Sequence, residues 1–140
     1  MEYRRHGVRK KFGGLDTRSG DDFIDFTFRE FIYILEDIVE TIKKTPNLKN
    51  PRRPQQGLWG YFHKSEIFLE ARANKKILLE TLIHELAHAL YYSDDKRSMR
   101  ERKIQRVEKI LWRRFTEDQK RILSKYIPKH IVKKGPDSQN

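Results

Sequence analysis

His84 and His88 stand four residues apart with Glu85 between them, in the run Glu80-Thr-Leu-Ile-His-Glu-Leu-Ala-His-Ala-Leu90 of a 140-residue chain. On a helix that spacing stacks both imidazoles on one face. Two neutral imidazoles pointing the same way supply half of a tetrahedral zinc site, and the carboxylate of Glu85, one step round the helix, reaches a water on the metal. The other half must come from elsewhere. The chain has no cysteine, so only His, Asp and Glu remain as strong ligands, and thiol catalysis and a disulfide framework are excluded. The bland alternative is a pair of core histidines bonded to backbone, with Glu85 facing solvent. Leu78, Leu79, Leu82, Ile83, Leu86, Ala87 and Leu90 argue against it, since they cover most of the remaining circumference and make the helix one that is buried nearly all round.

The segment resembles the zincin metallopeptidase signature, including its extended form. Thr81 stands three residues before the first His, Leu86, Ala87 and Ala89 are uncharged, and Leu90 is apolar. Within that group it is most similar to small gluzincins and ImmA/IrrE-type peptidases, over about Leu58 to Phe115. The resemblance implies one zinc ion, a strand before the His-bearing helix, a glutamate on the next helix as third ligand, and hydrolysis of peptide bonds with Glu85 as the base. It also implies that a strand at the rim of the cleft pairs with extended substrate, a role open here to Glu66–Ala71. SprT-like enzymes use a third His instead, and this chain has none between His88 and His130.

Glu108 is the expected third ligand. Nineteen residues separate it from His88, the interval of thermolysin-like gluzincins, and an aromatic, Trp112, follows four residues on, as in the ImmA/IrrE-type pattern. Many larger gluzincins carry an Asp at that last position to orient a histidine. Independently of the resemblance, Ile104, Val107, Leu111 and Phe115 put Glu108 on a buried stripe, where an ionised carboxylate is costly unless paired or on a metal. Arg106 is an alternative partner for it. Glu101 has a job of its own as the capping-box partner of Ser98. Two antiparallel helices joined by the short loop from Ser93 to Arg97 would nevertheless bring Glu101 closer in level to His88. Tyr91, Tyr92, Tyr126 and His130 are candidates to stabilise the oxyanion.

The elements that must position these groups follow from periodicity. A helix is expected from Phe28 to Lys44, capped by Thr27 with Glu30 and ended by Pro46. The segment from Pro46 to Gly57 reads as a connecting loop because its prolines remove donors and restrict the residues before them. Strands are expected over Leu58–Phe62 and Glu66–Ala71. The His-bearing helix follows from Asn74 to Tyr92, then a helix from Ser98 to Arg114, and a last one from Thr116, boxed by Gln119 and stopped by Pro128. The expected class is α+β: a helix-rich, zincin-like domain over residues 21–128 with a small sheet beside the His-bearing helix. Residues 1–20 read as a mobile basic arm with room for a short strand at Val8 and Phe12, and 129–140 as a disordered tail.

Charge bears on partners. The formal net charge is +11, and from Lys96 to Lys134 there are fifteen Lys and Arg against four Asp and Glu. Such a field attracts DNA, RNA or other polyanions, or it is a solvated surface. No run is long and apolar enough to span a membrane and no signal-peptide core is visible, so a soluble, intracellular, cytoplasmic protein is the default. Two function classes are therefore in play: a zinc metallopeptidase acting on a peptide or protein substrate, and a non-catalytic basic adaptor that binds nucleic acid or a nucleic-acid-associated protein.

Overall fold

A computed structural model describes residues 12–50, 53–91 and 97–132. Among them the order is α1 (Asp22–Tyr33), a π-helical turn (Ile34–Ile38), β1 (Thr41–Thr45), β2 (Lys49–Asn50), β3 (Arg53–Gly57), β4 (Gly60–His63), β5 (Glu66–Glu70), α2 (Lys75–Leu90), α3 (Arg97–Arg114) and α4 (Glu117–Ser124). The class is α+β, as expected. Among the described residues no helix is long and apolar enough to cross a membrane.

The His-bearing helix α2 is the hub. It touches β4 and β5 on one side and α1, α3 and α4 on the others, which is why its sequence is apolar almost all round. Asn74 starts it by accepting from the Ile77 N–H at 2.8 Å. Leu78, Leu79, Leu82, Ile83, Leu86 and Ala87 are buried, and each large side chain among them contributes about 1.5–3 kcal/mol by leaving water. α4 begins with the expected capping box between Thr116 and Gln119. Phe115, at the α3–α4 junction, meets Phe28 and Phe31 edge-on at 6.0 Å, tying α1 to the hub.

The main sheet has the order β1-β5-β4, with β1 parallel and β4 antiparallel to β5. β5 is hydrogen-bonded on both edges and buried at Ile67, Phe68 and Leu69, the uninterrupted apolar run of a central strand. That corrects the role open to Glu66–Ala71. A strand flanked on both sides has no main-chain groups left for substrate, whereas β4 lies at the edge of the sheet.

Several boundaries differ from expectation. The first helix starts six residues early because Asp21, not Thr27, is the cap and accepts from the Ile24 N–H. Thr27 sits inside the helix, buried, with its hydroxyl 2.9 Å from the Tyr91 hydroxyl. The helix also ends early. The Val39 N–H bonds to the Ile34 carbonyl across the wider turn, and β-branched Thr41, Ile42 and Thr45 then extend into β1 beside β5. The expected loop of 46–57 contains a β2–β3 pair instead. Pro54 is compatible with it because each strand of a two-stranded sheet has a free edge. Ser98 lies one residue inside α3 and is not its N-cap, so Glu101 is released from the capping role.

The expected N-terminal arm is packed over its second half. Phe12 is buried in a turn rather than a strand, and residues 17–20 are fixed through Asp25 and Gln119. The Asp25 carboxylate accepts from the Ser19 N–H and hydroxyl, the Gly20 N–H and the Gln119 amide, while that amide also donates to the Thr17 carbonyl. Burial alone would raise the Asp25 pKa, but these donors outweigh it and hold the group below the usual carboxylate range. Val8 and the rest of 1–11 lie outside the described residues. At the other end Ile131 bridges to Lys44 and Val132 donates to the Lys44 carbonyl, so these two residues run beside β1, and 133–140 lie outside the described residues.

Candidate metal centre

α2 projects His84 and His88 from one face, their rings edge-to-face with centroids 4.7 Å apart. The two Nε2 atoms are 3.2 Å from each other. Glu101, from the first turns of α3, brings one carboxylate oxygen to 2.9 Å from His88 Nε2 and the other to 3.1 Å from His84 Nε2. A tetrahedral ion with bonds of about 2.0–2.1 Å needs ligand atoms about 3.3 Å apart. The observed triangle comes close to that face, and the three residues form a group able to hold a metal ion.

The expected ligand Glu108 lies elsewhere. Its Oε1 is 2.8 Å from Nδ1 of His84, on the far side of the ring from Nε2. The physical reason is the short connection between α2 and α3: antiparallel neighbours put the start of α3 level with the end of α2, so Glu101 meets His88 and Glu108, two turns on, falls behind His84. Of its expected stripe, Ile104, Leu111 and Phe115 are buried and Val107 is half-buried. Arg106, the alternative partner for Glu108, is exposed. A carboxylate on Nδ1 fixes the tautomer: with the proton on Nδ1 and donated to Glu108, the Nε2 lone pair points into the triangle. There a lone pair faces a carboxylate, and a proton or a metal ion must come between them. Burial opposes charge on His84, but Glu108, Glu85 and Glu101 outweigh it and raise its pKa.

Glu85 does not join the triangle in the geometry. Desolvation pushes its carboxyl up to about 7, with Glu101 and Glu108 acting the same way against the opposing pull of His84. Its Cγ lies against β4: a Cβ added to Gly60 would stand 3.5 Å from Glu85 Cγ and only 2.4 Å from Thr81 Cγ2. Glycine at position 60 is thus what lets the edge strand approach α2 beside Glu85. This contact escaped sequence reading, where Gly60 is one residue of a short strand and carries no periodic signal.

The oxyanion candidates go elsewhere. Tyr91 faces Thr27, and the Tyr126 hydroxyl donates to Glu36; burial, helped by that carboxylate, pushes the Tyr126 pKa up. His130 is exposed near the end of the described chain, and Tyr92 lies outside the described residues, as do Asp94 and Asp95. Trp112 is a packing residue, with Lys120 4.2 Å and Lys76 5.9 Å from its ring centroid.

Comparison with protein-family models, with curated proteins and with solved structures returned no match.

Proposed function

We propose that the protein is a zinc-dependent hydrolase of peptide bonds, with His84, His88 and Glu101 as protein ligands to one zinc ion and Glu85 as general base. One observation carries the reading. Two imidazole nitrogens and a carboxylate converge within 2.9–3.2 Å, on the helix whose next side chain is a carboxyl raised toward neutrality. Three side chains leave a fourth position of a tetrahedral ion open, the arrangement of a catalytic rather than a structural site. When bound there, zinc supplies Lewis acidity toward a carbonyl and toward water.

The residues of the chain divide the remaining work. Glu85 accepts a proton from the attacking water and returns it to the leaving amine. Glu108 holds His84 with its Nδ1 protonated and its Nε2 turned inward. Among the described residues β4 has no strand on its outer edge, next to Glu85, a place for an extended peptide to add as a further strand without demanding one sequence. The substrate class is therefore a flexible or unfolded polypeptide. The test is casein hydrolysis by the zinc-loaded protein: Glu85→Gln keeps the zinc and loses the hydrolysis, and a Glu85→Gln protein as active as the parent contradicts the mechanism.

A further inference from the structure

α3 has a second face. Arg102, Arg106, Lys109 and Arg113 are exposed, and none of them is paired with a carboxylate among the described residues. At 3.6 residues per turn they fall within about 60° of one another and run for about 16 Å along the helix, a cation every 4.5 to 6 Å or so. Glu101 and Glu108 lie on the other side of the same helix, turned to the two histidines. Among the described residues of α3 the row therefore has no acidic neighbour on its own face. Charge elsewhere is segregated with the opposite sign: between residues 21 and 40 the acids are Asp21, Asp22, Asp25, Glu30, Glu36, Asp37 and Glu40, and Arg29 is the sole cation.

We infer that this face of α3 is a docking surface for the phosphate backbone of a nucleic-acid duplex. Three of the four cations are Arg, whose planar fork matches phosphate oxygens, and a straight row on a rigid helix matches a regularly spaced line of phosphates. Nucleic-acid interfaces are polar and strongly positive, as this face is. A membrane is the poorer fit, because a helix that lies in a bilayer needs an apolar face and that of α3 is already spent on Ile104, Leu111 and Phe115 in the core. An acidic protein is also the poorer fit. Such interfaces centre on buried apolar or aromatic anchors, and Ile110 is the one large apolar side chain exposed on α3 among the described residues. The acids between residues 21 and 40 repel the same polyanion. None of this requires the metal, so the inference stands or falls apart from the proposed hydrolysis.

The experiment measures binding of the full chain to a fluorescent duplex DNA by anisotropy, with and without a chelator, over a range of salt. The parent should bind with an affinity that falls steeply with salt, and the fourfold variant Arg102→Ala, Arg106→Ala, Lys109→Ala, Arg113→Ala should lose it. At about 0.9 of slope in log affinity against log salt for each phosphate neutralised, the slope drops by about 3 to 4. Alanine is a good helix former, and circular dichroism checks that α3 persists. A control with the same loss of charge, Arg29→Ala, Lys49→Ala, Lys75→Ala, Lys129→Ala, should move the slope by less than about 1. An unchanged slope in the α3 variant, an equal drop in the control, or absence of binding in the parent at low salt overturns the inference. So does displacement of the duplex by phosphatidylserine vesicles or polyglutamate at charge concentrations where unlabelled DNA fails to displace it.

Discussion

Truncating Glu101 and Glu108 separately distinguishes a ligand from a residue that orients one. Glu101 sets both oxygens 2.9 and 3.1 Å from the histidine Nε2 atoms, whereas Glu108 touches only Nδ1 of His84. A structural zinc site with four protein ligands binds with roughly 10–16 kcal/mol, so one ligand is worth about 3 kcal/mol, and Glu101→Ala should weaken zinc binding more than about a hundredfold. A carboxylate behind a metal-bound histidine is typically worth 10–100-fold, so Glu108→Ala should cost about 1.4–2.8 kcal/mol. The two ranges nearly touch, which makes the conservative variants informative. Glu108→Gln retains an acceptor for the Nδ1 proton and should recover much of the loss, while Glu101→Gln surrenders the anionic oxygens and should recover little. Competition for zinc against a chromophoric chelator gives all four affinities. A Glu108→Ala variant weaker than Glu101→Ala would exchange the two roles, and full affinity in both would remove α3 from the site.

Further outcomes follow from the same geometry. In the presence of a chelator the protein should lose stability as pH rises from about 5 to 8. Glu85 is raised from its unfolded value of 4.5 to about 7, so its contribution is complete below the unfolded pKa and lost as pH climbs through the folded one, at most about 3 kcal/mol. His84, also raised, acts in the same direction, and a melting temperature that holds or climbs across this range, or falls as much in Glu85→Gln, contradicts the assignment. Asp25 and Glu70 are lowered, Asp25 by its hydrogen bonds and Glu70 by Arg72 and the Leu48 N–H, each against the effect of burial. Their contribution is present above the unfolded carboxylate pKa and lost in acid as pH falls through the folded values, so stability should decline on that side too. Gly60→Ala, which would place a Cβ 2.4 Å from Thr81 Cγ2, should cost about 1–3 kcal/mol by overpacking. Thr81→Ser in the same chain removes that methyl and should restore most of the loss in urea denaturation, and an unrescued double variant would locate the strain elsewhere.

The parts of this fold that were legible in the sequence are those set by local chemistry. Asn74 and the apolar surround of α2, the Thr116–Gln119 box of α4, and the two short strands about Lys64 and Ser65 all announce themselves within a few residues. The end of the first helix is not legible because Leu35, Ile38, Val39 and Ile42 continue a helical spacing into a segment that pairs with β5. Nothing local outweighs that run except the β-branched Thr41, Ile42 and Thr45, whose preference becomes decisive only with β5 beside them. In the site, His84, Glu85 and His88 are fixed by one helix and could be read directly. The carboxylate that joins the two histidines could not, because Glu101 and Glu108 are seven residues apart on one face and only the level at which α3 passes α2 chooses between them. The short α2–α3 connection was the signal that favoured Glu101. Gly60 against Thr81 is a contact between segments more than one element apart, which no periodicity reports.

Metal content of the full chain, purified without added metal and measured by mass spectrometry of the elements, tests most directly whether His84, His88 and Glu101 hold one zinc ion. The parent should carry zinc near one equivalent, with Glu85→Gln matching it and His84→Ala, His88→Ala and Glu101→Ala each retaining little. A parent that carries no metal and fails to take up zinc on dialysis, or a His88→Ala protein that keeps a full equivalent, would contradict the account.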